Sequence, residues 1–105
     1  GRNMDSVITE TGECVPASCF MDIAYNWFLV YDIPVHGLKY QFVQPEIGKL
    51  DLYIIEGEYS LDFDAIKESI YTLVPRTTMV TVHKVDKLPY DQGTKYRPVI
   101  SLVGR

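Results

Sequence analysis

The stretch LKYQFVQPEIGKLDLYII, residues 38–55, decides the fold. Its first part alternates between apolar Leu38, Tyr40 and Phe42 and the residues between them, which is the period of a half-buried strand. A proline and a glycine follow in PEIGK, and LDLYIIEGE then has the composition of a second strand. The segment therefore predicts an antiparallel hairpin.

Helical periodicity flanks this hairpin on both sides. From about Pro16 to Val30 the apolar residues recur at intervals of three and four, and a proline suits a helix start because its missing N–H costs nothing there. After the hairpin, Ser60 or Asp62 can cap a second helix that closes before Pro75. The sequence thus predicts two helices, one on each side of the hairpin.

The remaining extended segments complete the predicted architecture. TTMVTVHKV, residues 77–85, predicts a third strand, and PVISLV, residues 98–103, is extended again. DSVITETGECVP, residues 5–16, predicts two short β segments around a Thr-Gly turn. We therefore expect an α+β fold: a small two-layer sandwich with a mainly antiparallel three- to four-stranded sheet, two helices on one face and a short N-terminal β-hairpin.

Length and composition indicate one globular domain over residues 1–105. Apolar residues make up 47% of the chain and charged residues 23%. The formal net charge is −4 and the ten basic residues are spread along the chain, which disfavours a nucleic-acid partner. No apolar run approaches the ~20 residues that span a bilayer, so no membrane partner is expected. Two cysteines without a second pair fit reduced thiols and a cytoplasmic location.

The interior of the sequence shows no self-contained catalytic motif. His36 and His83 are isolated, and Cys14 and Cys19 have no nearby second pair of ligands, so we expect no metal site. A Cys19–His83 pair, or a small hydrolase using Cys19 or Ser18, stays open as a remote alternative. The acids of EGEYSLDFD, residues 56–64, are best explained by capping of the second helix.

The two ends of the chain carry a resemblance to adenylate-forming enzymes. GRNMD, residues 1–5, resembles the hinge that leads into the small mobile C-terminal domain of that superfamily. LPYDQGTKYRPVIS, residues 88–101, resembles the lysine loop of the same domain. Residues 40–55 and 63–74 match the strand–turn–strand–helix order of the phenylacetate–CoA ligase branch, and the capsular polysaccharide biosynthesis ligase-like subgroup is the most similar. The resemblance covers nearly the whole chain.

This resemblance implies roles for particular residues in a hinge, 1–6, and a catalytic lysine loop, 87–97. The residues concerned are Lys95 as the catalytic adenylation lysine, Pro89, Gly93 and Arg97 in the lysine loop, Arg2 near the nucleotide, and Asp5 at the hinge. The sequence departs from the usual pattern at three places. Tyr90 and Asp91 replace an Arg-Thr pair, the loop glycine stands two residues before the lysine, and Met4 replaces the first hinge acid.

The function that the resemblance implies belongs to a larger protein. The chain would be the mobile C-terminal lid domain of an ATP-dependent, carboxylate-activating ligase, and its start at Gly1 is expected to be a cut inside a longer polypeptide. ATP and Mg²⁺ would be bound mainly by the N-terminal adenylation domain, with a carboxylic acid as substrate and coenzyme A as acceptor. The fragment is expected to be inactive by itself. The alternative is a free-standing ferredoxin-like binding or regulatory module without catalysis.

Overall fold

The structure is a computed structural model that describes residues 5–34, 37–90 and 96–103. The α+β class, the helix on each side of the central hairpin and the N-terminal hairpin are confirmed. The elements are β1 (Val7–Ile8), β2 (Cys14–Val15), α1 (Ala17–Val30), β3 (Lys39–Gln44), β4 (Lys49–Ile55), α2 (Phe63–Ile70), β5 (Met79–Lys84) and β6 (Val99–Ser101).

The main sheet has the strand order β5-β4-β3-β6. The predicted hairpin of β3 and β4 is antiparallel, with Phe42 opposite Leu52. However, β5 runs parallel to β4 and β6 runs parallel to β3, so the sheet is mixed and the expectation of a mainly antiparallel sheet is wrong. The physical reason is the connections: α2 carries the chain back across the sheet, so β5 starts at the same end as β4, as helical crossovers require.

The strand pairing also differs from a ferredoxin-like arrangement. The elements β2, α1, β3, β4, α2 and β5 follow the required βαββαβ order. In the structure, however, β2 pairs only with β1 in a separate two-stranded sheet, and β4 and β5 are direct neighbours with no strand between them. The ferredoxin-like shape proposed for the alternative module is therefore wrong.

One face of the sheet, the helix face, carries the hydrophobic core. It is formed by Tyr40, Phe42, Leu50, Leu52, Ile54 and Val80. The Phe42 ring centroid lies 5.0 Å from that of Phe20 and 6.1 Å from that of Trp27, both on α1. Burial raises the pKa of Tyr40 to about 12, so its phenol stays protonated in this core. The aromatic stripe of α1 is thus what holds the first helix on the sheet.

Hydrogen bonds to side chains fix the start of α2. Asp62, one of the two predicted caps, accepts hydrogen bonds from the N–H groups of Asp64 and Ala65. Just upstream, the Glu56 carboxylate accepts from the Leu61 N–H and pairs with Lys84 of β5, each at 2.9 Å. These two contacts, the Leu61 bond first, lower the pKa of Glu56. The loop before α2 is therefore tied to both the helix start and the sheet.

Candidate functional site

The second face of the sheet, the loop face, carries the connection between β5 and β6. Strand alternation places Gln41, Val43, Asp51, Tyr53 and His83 on this face, opposite the aromatic core. Because β5 and β6 are the two edge strands, the chain between them must cross the whole sheet. Its described parts are residues 85–90 and 96–98. The predicted lysine loop therefore starts and ends against the loop face.

Gln41 holds both described ends of this connection. Its side chain is fully buried. The Gln41 Oε1 accepts a hydrogen bond from the Tyr90 N–H at 3.1 Å, and its Nε2 donates to the Arg97 carbonyl at 2.8 Å. Tyr96, the first described residue after the gap, donates a hydrogen bond from its hydroxyl to the Tyr40 carbonyl. One amide on a central strand thus fixes the positions immediately before and shortly after residues 91–95.

Replacement of Gln41 tests this bridge. Gln41→Leu keeps similar volume but leaves the Tyr90 N–H and the Arg97 carbonyl without this partner, so we expect a loss of about 1–3 kcal/mol in the free energy of unfolding. Urea denaturation measures the loss, and hydrogen exchange at the Tyr90 amide should accelerate. Gln41→Glu keeps the acceptor but sets a buried carboxylate oxygen against the Arg97 carbonyl, so its loss of stability at neutral pH should be at least as large. Wild-type stability and unchanged exchange in Gln41→Leu would contradict the bridging role.

Asp5 and Arg97, predicted at opposite ends of the chain, lie in direct contact. The Asp5 Oδ2 accepts from the Arg97 guanidinium at 3.3 Å and from the Ser101 N–H at 2.9 Å. The Asp5 N–H in turn donates to the Val99 carbonyl at 3.2 Å. Both charged side chains are partly buried, which strengthens their attraction. The structure thus joins the last residue of the GRNMD segment to the end of the lysine loop.

The other predicted site residues fall into two groups. Arg2, Gly93 and Lys95 lie outside the described residues, as does His36. Pro89 is exposed in a turn directly after the buried Leu88. Their assigned roles stay predictions.

Sequence reasoning missed a polar cluster on the loop face. The His83 Nε2 lies 3.0 Å from the Asp51 Oδ1, across the β4–β5 pair. The Tyr53 ring stacks on the His83 ring with centroids 4.6 Å apart. Burial, then the charge of Asp51 and the neighbouring Tyr90, raises the pKa of Tyr53. This cluster could have been found from the register of β4 against β5. That register depends on the parallel pairing of the two strands, and the local sequence does not determine it.

The remote Cys19–His83 pair is wrong. Cys19 belongs to α1, which packs on the helix face through its neighbour Phe20. His83 lies on the loop face, where it stacks on Tyr53. The sheet stands between the two side chains, so they cannot form a nucleophile–base couple.

Among residues 5–34, 37–90 and 96–103, no group of three His, Cys, Asp or Glu side chains could hold a metal ion. Arg97, which the resemblance places in the lysine loop, is engaged by Asp5.

Comparisons of the chain with models of protein families, with curated proteins and with solved structures found no match. Within the residues that the structure describes, no helix is long and apolar enough to cross a membrane.

Proposed function

We propose that this chain is the mobile C-terminal domain of an ATP-dependent, acyl-adenylate-forming ligase and that it supplies Lys95 to a neighbouring active site. The observation that carries the proposal is the Gln41 bridge, the pair of hydrogen bonds that the Gln41 amide makes with Tyr90 and Arg97. These two residues flank the lysine position in the sequence. These two bonds fix the described chain on both sides of residues 91–95. Firm anchoring on both sides is what a segment that delivers a group to another domain requires.

The chemistry assigned to Lys95 is charge stabilisation. Attack of a carboxylate on the α-phosphate of ATP gathers negative charge in the transition state. An ammonium group that approaches in a cleft with little water lowers the energy of that state, and lysine suits this as a compact charge on a long side chain. The preceding glycine, Gly93, would allow the backbone to approach the substrates closely.

The Asp5 contacts refine the proposed hinge. Because Asp5 is bonded through its side chain and backbone to β6 and Arg97, it moves with the domain. A rotation of the domain between adenylation and thiolation poses would then pivot before Asp5. Arg2 would lie close to the nucleotide.

The partners follow from the same proposal. An N-terminal adenylation domain of the same polypeptide would bind ATP, Mg²⁺ and the carboxylic acid, and coenzyme A would be the acceptor. The enzyme would be cytoplasmic, and the 105-residue chain alone would be inactive.

The experiment is pyrophosphate exchange by the protein made from its whole reading frame. With ATP, Mg²⁺ and a panel of carboxylic acids that begins with phenylacetate, we expect acid-dependent exchange of labelled pyrophosphate into ATP. The chain alone should show none and should not bind ATP with micromolar affinity in calorimetry. A reading frame that starts directly before Gly1, or micromolar ATP binding by the chain alone, would refute the proposal.

A non-catalytic binding module is the second candidate, and the outer edge of β5, which no strand of the described residues pairs with, favours it. An exposed edge strand offers backbone groups to an added strand. Such a module would work without Lys95, so its partner binding should survive Lys95→Ala. Loss of that binding would count against it.

A further inference from the structure

A groove runs between α1 and α2 on the side of the two helices that faces away from the sheet. The helices are antiparallel: the Tyr31 hydroxyl meets the Asp62 N–H at one end, and the Trp27 Nε1–H donates to the Ser69 Oγ further along. This helix groove has a volume of about 260 Å³, and every described residue that lines it is uncharged. Its lining includes Ile23, Trp27 and Val30 of α1 and Ala65, Ile66 and Ser69 of α2.

Helix α1 is apolar on its outer side as well as on the side that contacts the sheet. Of its 14 residues, only Asp22 is charged. Leu29 is 64% exposed and Val30, which borders the helix groove, is 72% exposed. A helix with apolar residues on its outer side is normally covered by another element, so this surface indicates an interface.

The hydroxyl groups and the indole N–H of the helix groove are already bonded within the chain. The Ser69 Oγ accepts from the Trp27 Nε1–H at 3.1 Å and donates to a carbonyl of its own helix. The Thr72 hydroxyl donates to the Ser69 carbonyl, and the Tyr31 hydroxyl accepts from the backbone at the start of α2. These groups have little capacity left for the backbone of an extended peptide. A helix suits the groove better, because its backbone hydrogen bonds are internal.

Exposed carboxylates flank the helix groove at both ends. Asp22 directly precedes the lining residue Ile23. At the other end, Asp32 directly follows Tyr31, and Asp62 bonds through its N–H to the same tyrosine. Within residues 5–34, 37–90 and 96–103, none of these three carboxylates takes part in an ion pair. They therefore leave negative charge beside an uncharged groove.

The basic side chains in and after α2 do not neutralise these acids. Arg76 pairs with Glu68 at 2.9 Å. Lys67 stands two residues after Ala65, which lines the groove. Because successive helix residues are rotated by about 100°, Lys67 lies on the other side of α2 from the groove.

Asp32 occupies a position where a carboxylate is unfavourable for the fold. Its φ is 55°, in the left-handed region that favours glycine or asparagine after a helix. It also lies at the C-terminus of α1, whose last turn has no basic residue, and negative charge is destabilising at that end of a helix. A carboxylate at such a position indicates a role in binding a cationic group from outside the domain.

We propose that the helix groove is the docking site for a basic amphipathic helix of a partner protein. The apolar side of that helix packs between α1 and α2 on residues such as Ile23, Val30 and Ala65, in the manner of a helix bound in a groove. Its Lys or Arg residues lie at the two ends of the groove, beside Asp22 and Asp32, where opposite charges attract.

The same charges and dimensions disfavour other occupants. A second copy of this chain that docked through the same surface would bring its own acids against those of the first. An anionic lipid surface would be repelled for the same reason. The volume of about 260 Å³ lies below the range of roughly 300–1,000 Å³ that is typical of small-molecule pockets.

Fluorescence anisotropy with labelled peptides tests the docking. The probe is a helical Lys–Leu peptide with leucines at positions i, i+3, i+4 and i+7. One control peptide has Glu in place of Lys, and the other has the residues of the probe in an order that removes the helical spacing. We expect the 105-residue chain to bind the probe at least about tenfold more tightly than either control. Similar binding of the probe and either control, or no binding of the probe, would overturn the proposal.

Substitutions then show where the probe binds. Ala65→Trp fills the groove and should weaken binding at least about tenfold, and Asp22→Lys should weaken it at least about threefold. Both positions are exposed, so both variants should fold, which circular dichroism checks. Asp86→Lys is the matched control, because it makes the same charge change at an exposed position of the β5–β6 connection, and it should bind like wild type.

Two results with the folded variants would overturn the proposal. Equal weakening by Asp22→Lys and Asp86→Lys would show a general attraction between the probe and an acidic chain. A dimer of the wild-type chain in sedimentation that Ala65→Trp dissociates would assign the groove to a second copy.

Discussion

Lys95→Ala should lower the rate of acyl-adenylate formation by about a hundred- to a thousand-fold in the protein made from its whole reading frame. The physical reason is the loss of one charged donor from the transition state, and a single donor of this kind contributes on this order in a cleft with little water. The expected change lies in kcat more than in KM, since the lysine acts on charge that develops during the reaction. Pyrophosphate exchange with phenylacetate, ATP and Mg²⁺ measures it.

Lys87→Ala is the matched control. Lys87 is exposed and lies before Tyr90, the first residue that Gln41 binds in this connection. Lys87→Ala therefore removes one positive charge from the same connection and leaves Lys95 in place. Its exchange rate should stay within about twofold of wild type. Equal losses in the two variants would show a general effect of charge in this connection and would contradict the role of Lys95.

Phe42→Ala should lower the free energy of unfolding by about 3–5 kcal/mol. Phe42 is completely buried at the centre of β3, and its ring contacts those of Phe20, Trp27 and Tyr40. Removing the ring loses both its burial and the aromatic contacts that hold α1 on the helix face, and helix packing leaves little freedom to refill the space. Urea denaturation followed by tryptophan fluorescence measures the loss, since Trp27 lies against the altered site.

The control for the core prediction is Val30→Ala. Val30 is 72% exposed at the end of α1, so its truncation should change the stability by less than about 0.5 kcal/mol. If Phe42→Ala were as stable as Val30→Ala, the contacts between α1 and the sheet would not be the main core of this domain.

Local patterns predicted most of the elements. The alternation of Leu38, Tyr40 and Phe42 and the turn at PEIGK specified the β3–β4 hairpin, because both signals act between near neighbours. Parallel pairing of β5 and β6 could not be predicted in the same way. The direction of β5 and β6 depends on the path that the connections take across the sheet, and no short segment of sequence determines that path.

The residues of the candidate site could be predicted in part from local motifs, but their contacts could not. Asp5 and Arg97 were chosen from motifs at the two ends of the chain, yet their contact depends on β6 lying beside β3. Gln41 is one of the residues between the apolar positions of the alternating strand, and that pattern gives it no particular role. Its bridging role appears once the β5–β6 connection is seen to cross the loop face. Burial of a glutamine is costly unless both ends of its amide are bonded, and that cost marks its importance in the fold.

The measurement that tests the account most directly compares two half-reactions in Lys95→Ala. Pyrophosphate exchange reports formation of the adenylate, and release of AMP from supplied phenylacetyl-adenylate and coenzyme A reports thiolysis. The account predicts a loss of at least a hundredfold in the first and near wild-type rates in the second. Equal losses in both half-reactions, or no loss in either, would contradict it.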